Sequence, residues 1–366
     1  MSNTQKKNGP ELRFPGFEGE WEEKKLESII KVNSGKDYKH LDKGDIPVYG
    51  TGGYMTSVSE PLSEIDAVGI GRKGTINKPY LLEAPFWTVD TLFYCTPKKE
   101  TDILFILSLF RKINWKVYDE STGVPSLSKQ TINKINRFVP TNKEQQKIGK
   151  FFSKLDRQIE LEEQKLELLQ QQKKGYMQKI FSQELRFKDE NGNDYPEWEE
   201  TTIKEIAQIN TGKKDTKDAI TNGSYDFYVR SPIVYKINTF SYEGEAILTV
   251  GDGVGVGKVF HYVNGKFDYH QRVYKISDFK NYYGLLLFYY FSQNFLKETK
   301  KYSAKTSVDS VRKDMVANMK VPRPIYIEQE KIGQFIKKVD NKIKIQKQVI
   351  ELLKQRKTAL LQKMFI

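Results

Sequence analysis

Apolar residues recur at alternating spacings of four and three in two separate stretches of the chain. The first seam is Ile148, Phe152, Leu155, Ile159, Leu166, Leu169, Tyr176 and Ile180, interrupted by Glu162 and Lys173. The second is Ile332, Ile336, Val339, Ile343, Ile350, Leu353, Leu360 and Met364, interrupted by Gln346 and Lys357. This spacing predicts two long helices with a coiled-coil seam. The stretches 144–181 and 328–365 align at a constant offset of 184, with 18 of 38 positions identical, so they are copies of one element. A helix of that length spans roughly 57 Å. Each follows a Val-Pro step, Val139-Pro140 and Val321-Pro322, and Thr141 with Glu144 has the spacing of a capping box.

The polar seam positions bear on how the helices pair. In an antiparallel pair, the register whose paired residue numbers sum to 519 puts seam residue against seam residue throughout. It sets Glu162 opposite Lys357, Lys173 opposite Gln346 and Leu166 opposite Leu353. Neighbouring heptad registers set these groups against Ile or Leu, which costs a few kcal/mol per unpaired buried polar group. The alternative is a pair of surface helices whose polar positions face water.

A second repeated block opens each half. Leu12-Arg13-Phe14, Glu20-Trp21-Glu22-Glu23 and Asn33-Ser34-Gly35-Lys36 return as Leu185-Arg186-Phe187, Glu197-Trp198-Glu199-Glu200 and Asn210-Thr211-Gly212-Lys213. Because the first helix runs straight into its copy of this block, the pattern predicts approximate two-fold symmetry between the halves. It also predicts that the Leu12 block lies beside the end of the second helix. Between the repeats the sequence diverges. Residues 24–138 and 201–320 both read as mixed α/β. Strand-like runs lie at 46–49, 65–70, 86–94, 225–229, 246–250 and 268–276, apolar helices at 103–113 and 282–295, and short helices at 128–135 and 308–315. The matching order predicts one shared fold carrying two different surfaces.

Composition narrows the partner. The chain of 366 residues has a net charge of +13, which points to a polyanion, with nucleic acid ahead of an anionic membrane surface. The apolar runs are too short to span a bilayer. The first residues lack a signal-peptide pattern, and the one cysteine, Cys95, allows no internal disulfide. These features together suggest a cytoplasmic protein, with Cys95 a small buried residue.

Catalytic constellations are missing. His40, His261 and His270 have no metal-ligand spacing and read as ordinary polar or core residues. Gly69, Gly71 and Gly74 fit a dinucleotide fingerprint formally, but no helix begins after them. The segments 69–75 and 251–258 read better as strand-turn-strand. Their glycines either let the backbone approach another surface or simply make a turn. Lys258 is expected in the segment of the second half related to Arg72 and Lys73. Basic, amide and aromatic residues then make up the candidate DNA contacts: Lys36, Lys39, Tyr54, Arg72, Lys73, Lys78, Lys213, Lys214, Arg230, Lys258, Gln271, Arg272 and Lys305. Lysines neutralise phosphates, whereas Arg and Gln also pair with base edges. Any one of them could equally be a solvated surface residue.

Two divergent inserts alternate with two heptad helices, each opened by Pro and then Glu-Gln-x-Lys-Ile-Gly, and Leu-Arg-Phe-Pro-Gly-Phe-x-Gly-x-Trp stands at 12–21. The joint pattern resembles the specificity subunit of type I restriction-modification systems. The resemblance implies an α/β (α+β) fold of two similar target recognition domains separated by two antiparallel coiled-coil helices, pseudo-two-fold and circularly arranged. The corresponding boundaries are an N-terminal segment 1–23, recognition domain 24–141, central helix 142–184, recognition domain with opener 185–323 and C-terminal helix 324–366. Each domain would read one half of a bipartite DNA target, with the helices setting the spacer and docking methyltransferase subunits, two by expectation. Two restriction-translocase subunits would join them. The chain itself would carry no catalysis, bind no cofactor and hold no metal. S-adenosylmethionine, ATP and Mg would belong to the partners. The competing readings are an enzyme of unfamiliar type, which activity of the isolated chain would reveal, and a coiled-coil nucleic-acid scaffold without sequence specificity.

Overall fold

The computed structural model describes residues 8–301 and 310–366. Internal contacts gather them into two units, Met1–Lys165 with Gln346–Ile366, and Leu166–Ile345.

In the first unit, strand β1 (Glu22–Lys25) leads through a single helical turn, α1 (Leu26–Ile29), into β2 (Ile30–Ser34). Strands β3 (Ile46–Gly50), β4 (Gly53–Val58), β5 (Ala67–Gly71), β6 (Tyr80–Leu82), β7 (Trp87–Thr88) and β8 (Leu92–Pro97) follow. Then come helices α2 (Ile103–Lys112) and α3 (Lys129–Lys134), strand β9 (Asn136–Val139) and the long helix α4 (Asn142–Phe181). One sheet has the order β2-β8-β5-β6, a smaller one has β4-β3-β7, and β1 pairs with β9. Every residue of β5 is buried, as a strand needs when it is covered on both faces. Its sheet packs on Phe105, Ile106, Leu109 and Phe110 of α2, and the same core takes in Ile148 and Phe152 of α4.

The second unit repeats this plan. It comprises β10 (Glu199–Thr202), α5 (Ile203–Ile206), β11 (Gln208–Thr211), β12 (Tyr225–Tyr228), β13 (Val234–Ile237), β14 (Tyr242–Val250), β15 (Phe260–Tyr269) and β16 (Val273–Ser277). After these come α6 (Gly284–Lys300), α7 (Lys313–Ala317), β17 (Lys320–Arg323) and the second long helix, α8 (Tyr326–Met364). The order β11-β16-β14-β15 matches β2-β8-β5-β6. Strand β15 is long enough to pair antiparallel with β14 and parallel with β12. It thus does alone what β6 and β7 do separately, and two sheets become one of six strands. Among the described residues no helix is long and apolar enough to cross a membrane.

The repeated Glu-Gln-x-Lys-Ile-Gly motif is a lock on each unit. Glu144 does not complete a capping box; its fully buried carboxylate takes two bonds from Arg13, both at 2.7 Å. Gln145 accepts from the Asp102 amide at 3.1 Å and donates to the Pro140 carbonyl at 2.9 Å. In the second unit Glu328 accepts from Arg186 at 3.3 and 3.0 Å and from Trp198 at 2.9 Å. Gln329 repeats the role of Gln145 with Tyr283 and Pro324. The opener is therefore tied to the base of the long helix by a buried, charge-assisted pair.

Each unit holds α4 and α8 antiparallel, but not in the sum-519 register. Glu162 does not meet Lys357: Gln346 donates to its carboxylate at 2.6 Å. Lys357 pairs instead with Asp156, and Lys173, expected at Gln346, pairs with Asp340 at 2.6 Å. These pairs centre on sums near 512, about one heptad away. The reason is lateral. Asp156 and Asp340 lie just off the seam, so a seam lysine reaches sideways to a carboxylate and no longer needs a polar residue opposite. The apolar ends then set the register, with Ile148 and Phe152 sharing a core with Leu361, Met364 and Phe365.

The described start of the chain meets the end of α8. The Leu12 amide donates to the Lys363 carbonyl at 2.9 Å, as the Leu185 amide does to Lys179 at 3.0 Å at the end of α4. Trp21 packs edge-on to Phe365 at 6.2 Å.

Candidate nucleic-acid interface

The runs 86–94 and 268–276, each expected as one strand, are both broken. Residues 89–91 separate β7 from β8, and residues 270–272 separate β15 from β16. The breaks are structurally equivalent. The Val89 amide donates to the Tyr49 carbonyl at 3.0 Å, and His270 to Tyr228 at 2.9 Å. The Arg72 amide donates to Thr91, and Gly251 to Arg272, both at 2.8 Å. Three further loops close on each connector: those after β2, β3 and β5 in one unit, and after β11, β12 and β14 in the other. The repeated glycine of Asn-Ser/Thr-Gly-Lys is required here. A Cβ on Gly35 would lie 2.0 Å from the Val89 carbonyl oxygen, and one on Gly212 would lie 1.9 Å from that of Tyr269. The lysine that follows, Lys36 or Lys213, is thereby delivered exposed to the same face.

In the first unit this face gathers Lys36, Arg72 and Lys73. The Lys36 amide donates to Thr88 at 2.8 Å. Arg72 lies over the Phe93 ring at 5.9 Å and reaches the Asp90 carbonyl at 3.4 Å. Tyr54, 64% exposed, stands edge-on to Tyr49 at 6.4 Å. Lys39 and Lys78 are exposed on the neighbouring turns, and no described contact ties them to the connector.

In the second unit Lys213, Lys214, Arg230, Gln271 and Arg272 come together. Asp252 pairs with Arg230 at 3.3 Å and with Arg272 at 3.6 Å. Asp215 accepts from Gln271 Nε2 at 3.1 Å and lies 3.7 Å from His270 Nε2. His270 is buried, and its Nδ1 accepts from the Arg272 amide at 2.9 Å. Burial, then the Arg230 guanidinium, holds the imidazole below its ordinary pKa, with Asp215 pushing the other way. The Lys217 amide is the main influence that lowers the Asp215 carboxyl. A cleft of about 380 Å³ opens beside Arg230 and Asp252, walled in part by Val229, Tyr235 and Val254.

Lys258 is not the counterpart of Arg72 and Lys73. The backbone partners of Arg72 and Lys73 are repeated by Gly251 and Asp252, down to the bridges Lys73–Ser126 and Asp252–Ser310. Lys258 lies further along that turn, before β15, and is exposed. Lys305 lies outside the described residues. The segments 69–75 and 251–258 do form strand-turn-strand links. Cys95 is buried, and burial raises its thiol pKa. Among the described residues, no group of three or more His, Cys, Asp or Glu side chains is placed to hold a metal ion.

Sequence reasoning over basic residues missed Asp215, Asp252 and His270, which organise the second face. Asp215 and His270 adjoin Lys214 and Gln271 in the sequence, and Asp252 stands between Gly251 and Gly253 of the segment 251–258.

Comparison with known proteins gives a consistent result. The family described as "Type I restriction modification DNA specificity domain" matches residues 18–171 and 195–355. The type I restriction enzyme MjaVIII specificity subunit of Methanocaldococcus jannaschii is 25% identical over 351 residues, covering 81% of this chain and 74% of that protein. The EcoDI specificity subunit of Escherichia coli is 25% identical over 169 residues, covering 45% and 37%. Among solved structures, the type I S subunit from M. genitalium superposes with a TM-score of 0.73 at 16% identity, covering 98% and 99% of the two chains.

Proposed function

Since the chain belongs to the type I restriction-modification DNA specificity family, we propose that each unit reads one half of a bipartite duplex target through its connector face. The chain is a specificity subunit, and its task is to recognise DNA sequence. The long helices set the spacer between half-sites and dock methyltransferase subunits, two of them, with two restriction-translocase subunits completing the assembly. S-adenosylmethionine, ATP and Mg belong to those partners. This chain supplies recognition, and bond-making lies with them.

One observation carries the reading. The same backbone holds different side chains at equivalent places in the two units: Lys73 against Asp252, Asp90 against Gln271, Thr91 against Arg272. Phosphate contact alone needs positive charge and no such variation, whereas base edges demand a donor and acceptor pattern that differs with sequence. A scaffold without specificity would have no use for it.

The test replaces residues 24–138 with the corresponding insert of a relative and maps N6-methyladenine across the genome of cells carrying the system. One half of the methylated motif should change, with the other half and the spacer retained. A motif altered in both halves, or in neither, overturns the reading.

A further inference from the structure

Asp252 is an unexpected residue on a face built to approach DNA. It occupies the place that Lys73 holds in the first unit, so a positive charge has been exchanged for a negative one beside a polyanion. In the chain's +13 background, a carboxylate at this place weakens phosphate attraction. It must therefore serve another end if the face reads DNA.

Its contacts show which. Arg230 comes from the loop after β12 and Arg272 from the connector before β16, and the two are separate in sequence. Asp252 Oδ1 takes Arg230 through Nη1 at 3.3 Å, and Oδ2 takes Arg272 through Nε at 3.6 Å. Among the described residues Arg272 meets Asp252 through Nε alone, in an ion pair, and its terminal nitrogens make no contact. Arg230 meets it through Nη1, and its Nη2 makes no contact among them. The side chains remain 51% and 66% exposed, whereas Asp252 is 27% exposed. A guanidinium has five donors in a fixed fork, so a carboxylate against one edge leaves the donors of the other edge available. The connector is itself held from below, since the Arg272 amide donates to His270 Nδ1 at 2.9 Å.

We propose that Asp252 is a positioning residue that presents Arg230 and Arg272 as a pair of base-reading forks, and that the half-site read by the second unit therefore contains guanine. The chemistry that fits a free guanidinium fork in a major groove is the O6 and N7 acceptor pair of guanine. The first unit has no such device: Thr91 stands at the place of Arg272. This proposal rests on the connector face being the DNA-reading surface, and the experiment separates the two ideas.

The full chain, co-purified with its methyltransferase subunits, is used to select from a random duplex library, and cognate affinity is measured at several salt concentrations. The variants are Asp252→Ala, Asp252→Asn, Arg230→Ala and Arg272→Ala, with thermal melting as the folding control. Removing a negative charge should by simple electrostatics tighten binding to every sequence. A positioning role predicts the opposite for the cognate site. Asp252→Ala should lose on the order of 10-fold in cognate affinity and blur guanine at one or two positions of one half-site. The other half-site and the salt slope should not move, since no phosphate contact is lost. Asp252→Asn should lie between, and it carries the test if Asp252→Ala does not fold. If both arginine variants blur the same half-site and both Asp252 variants keep wild-type selectivity, the positioning role is overturned while the reading face stands. Arginine variants that change neither half-site remove the face itself. Selection of a second half-site without guanine overturns the base assignment.

Discussion

At the residue scale, the most informative pair is one repeated twice with different support. Glu144 and Glu328 are fully buried carboxylates, and each would be left charged and unpaired if its arginine were removed. Losing one partner of a buried ion pair costs about 3–5 kcal/mol. The two sites should not respond equally. Glu328 keeps the Trp198 indole N–H at 2.9 Å after Arg186→Ala, whereas Trp21, the matching tryptophan, has a buried Nε1 with no partner among the described residues and makes no bond to Glu144. Arg13→Ala should therefore destabilise its unit by about 1 kcal/mol or more beyond Arg186→Ala. Hydrogen exchange on the full chain, which localises opening to each unit, measures this, and an equal or reversed order would show that the indole bond does not compensate. Both arginines and both glutamates were visible in the sequence as repeats. Their partnership was not, because Arg13 and Glu144 lie 131 residues apart and nothing local links them. The basic members of the proposed DNA face were legible for the same reason that its acidic organisers were not: charge balance points to cations, while Asp215 and Asp252 make their contacts through the fold.

At the element scale, the glycine of the repeated Lys-Ile-Gly explains how closely α4 sits against the start of α2 and α8 against the start of α6. A Cβ on Gly149 would lie 2.5 Å from Asp102 Oδ1 and 2.7 Å from the Phe105 amide nitrogen, and that same carboxylate caps α2 by accepting from Phe105 at 2.8 Å. In an isolated helix Gly→Ala gains about 1 kcal/mol. Here Gly149→Ala should be destabilising overall, since forcing a methyl into a packed contact costs roughly 1–3 kcal/mol and would also disturb the cap. On Gly333 the near atoms belong to the Tyr283 ring, at 2.7 Å, with the closest backbone atom at 3.4 Å. A ring swings away more readily than backbone, so Gly333→Ala should cost less. Melting curves of the two variants decide this, and a Gly149→Ala protein more stable than the parent would refute the packing argument. Helix existence and limits were legible, since heptad spacing needs no tertiary information. The heptad register was not, because polar seam residues constrain it only when their partners also lie on the seam, and Asp156 and Asp340 do not. The connector breaks were hidden for a related reason. Residues 86–94 and 268–276 have strand composition throughout, and it is the pairing with Tyr49 and Tyr228, distant in sequence, that interrupts them.

At the scale of the whole molecule, the chain closes on itself chemically. Residues 12–21 attach to the end of α8 as residues 185–198 attach to the end of α4. The Leu12 amide bonds Lys363 and the Leu185 amide bonds Lys179, and Glu11 adds an ion pair with Lys363 at 3.0 Å. The peptide link at 182–184 therefore contributes continuity at one junction, while the other junction achieves the same packing without a described link. This repeat was legible in the sequence, because the opener block and the helix end are both copied and only their order along the chain differs. It follows that the position of the break should be interchangeable. A circular permutant opened at Gln183, with Ile366 joined to Glu11 through a short flexible linker, keeps Arg13 with Glu144, Arg186 and Trp198 with Glu328, and Glu11 with Lys363. Opening at Gln183 also frees a non-glycine residue from a φ of 63°, a conformation that costs roughly 1 kcal/mol. The permutant should melt within a few degrees of the parent and, assembled with its methyltransferase subunits, should methylate the same motif with the same spacer. The two junctions are equivalent only if the contacts at Leu12, Arg13 and Trp21 suffice to hold the opener in place. A permutant that aggregates, or that folds but methylates a motif of different spacing, would show that the covalent link at 182–184 does something the non-covalent junction does not.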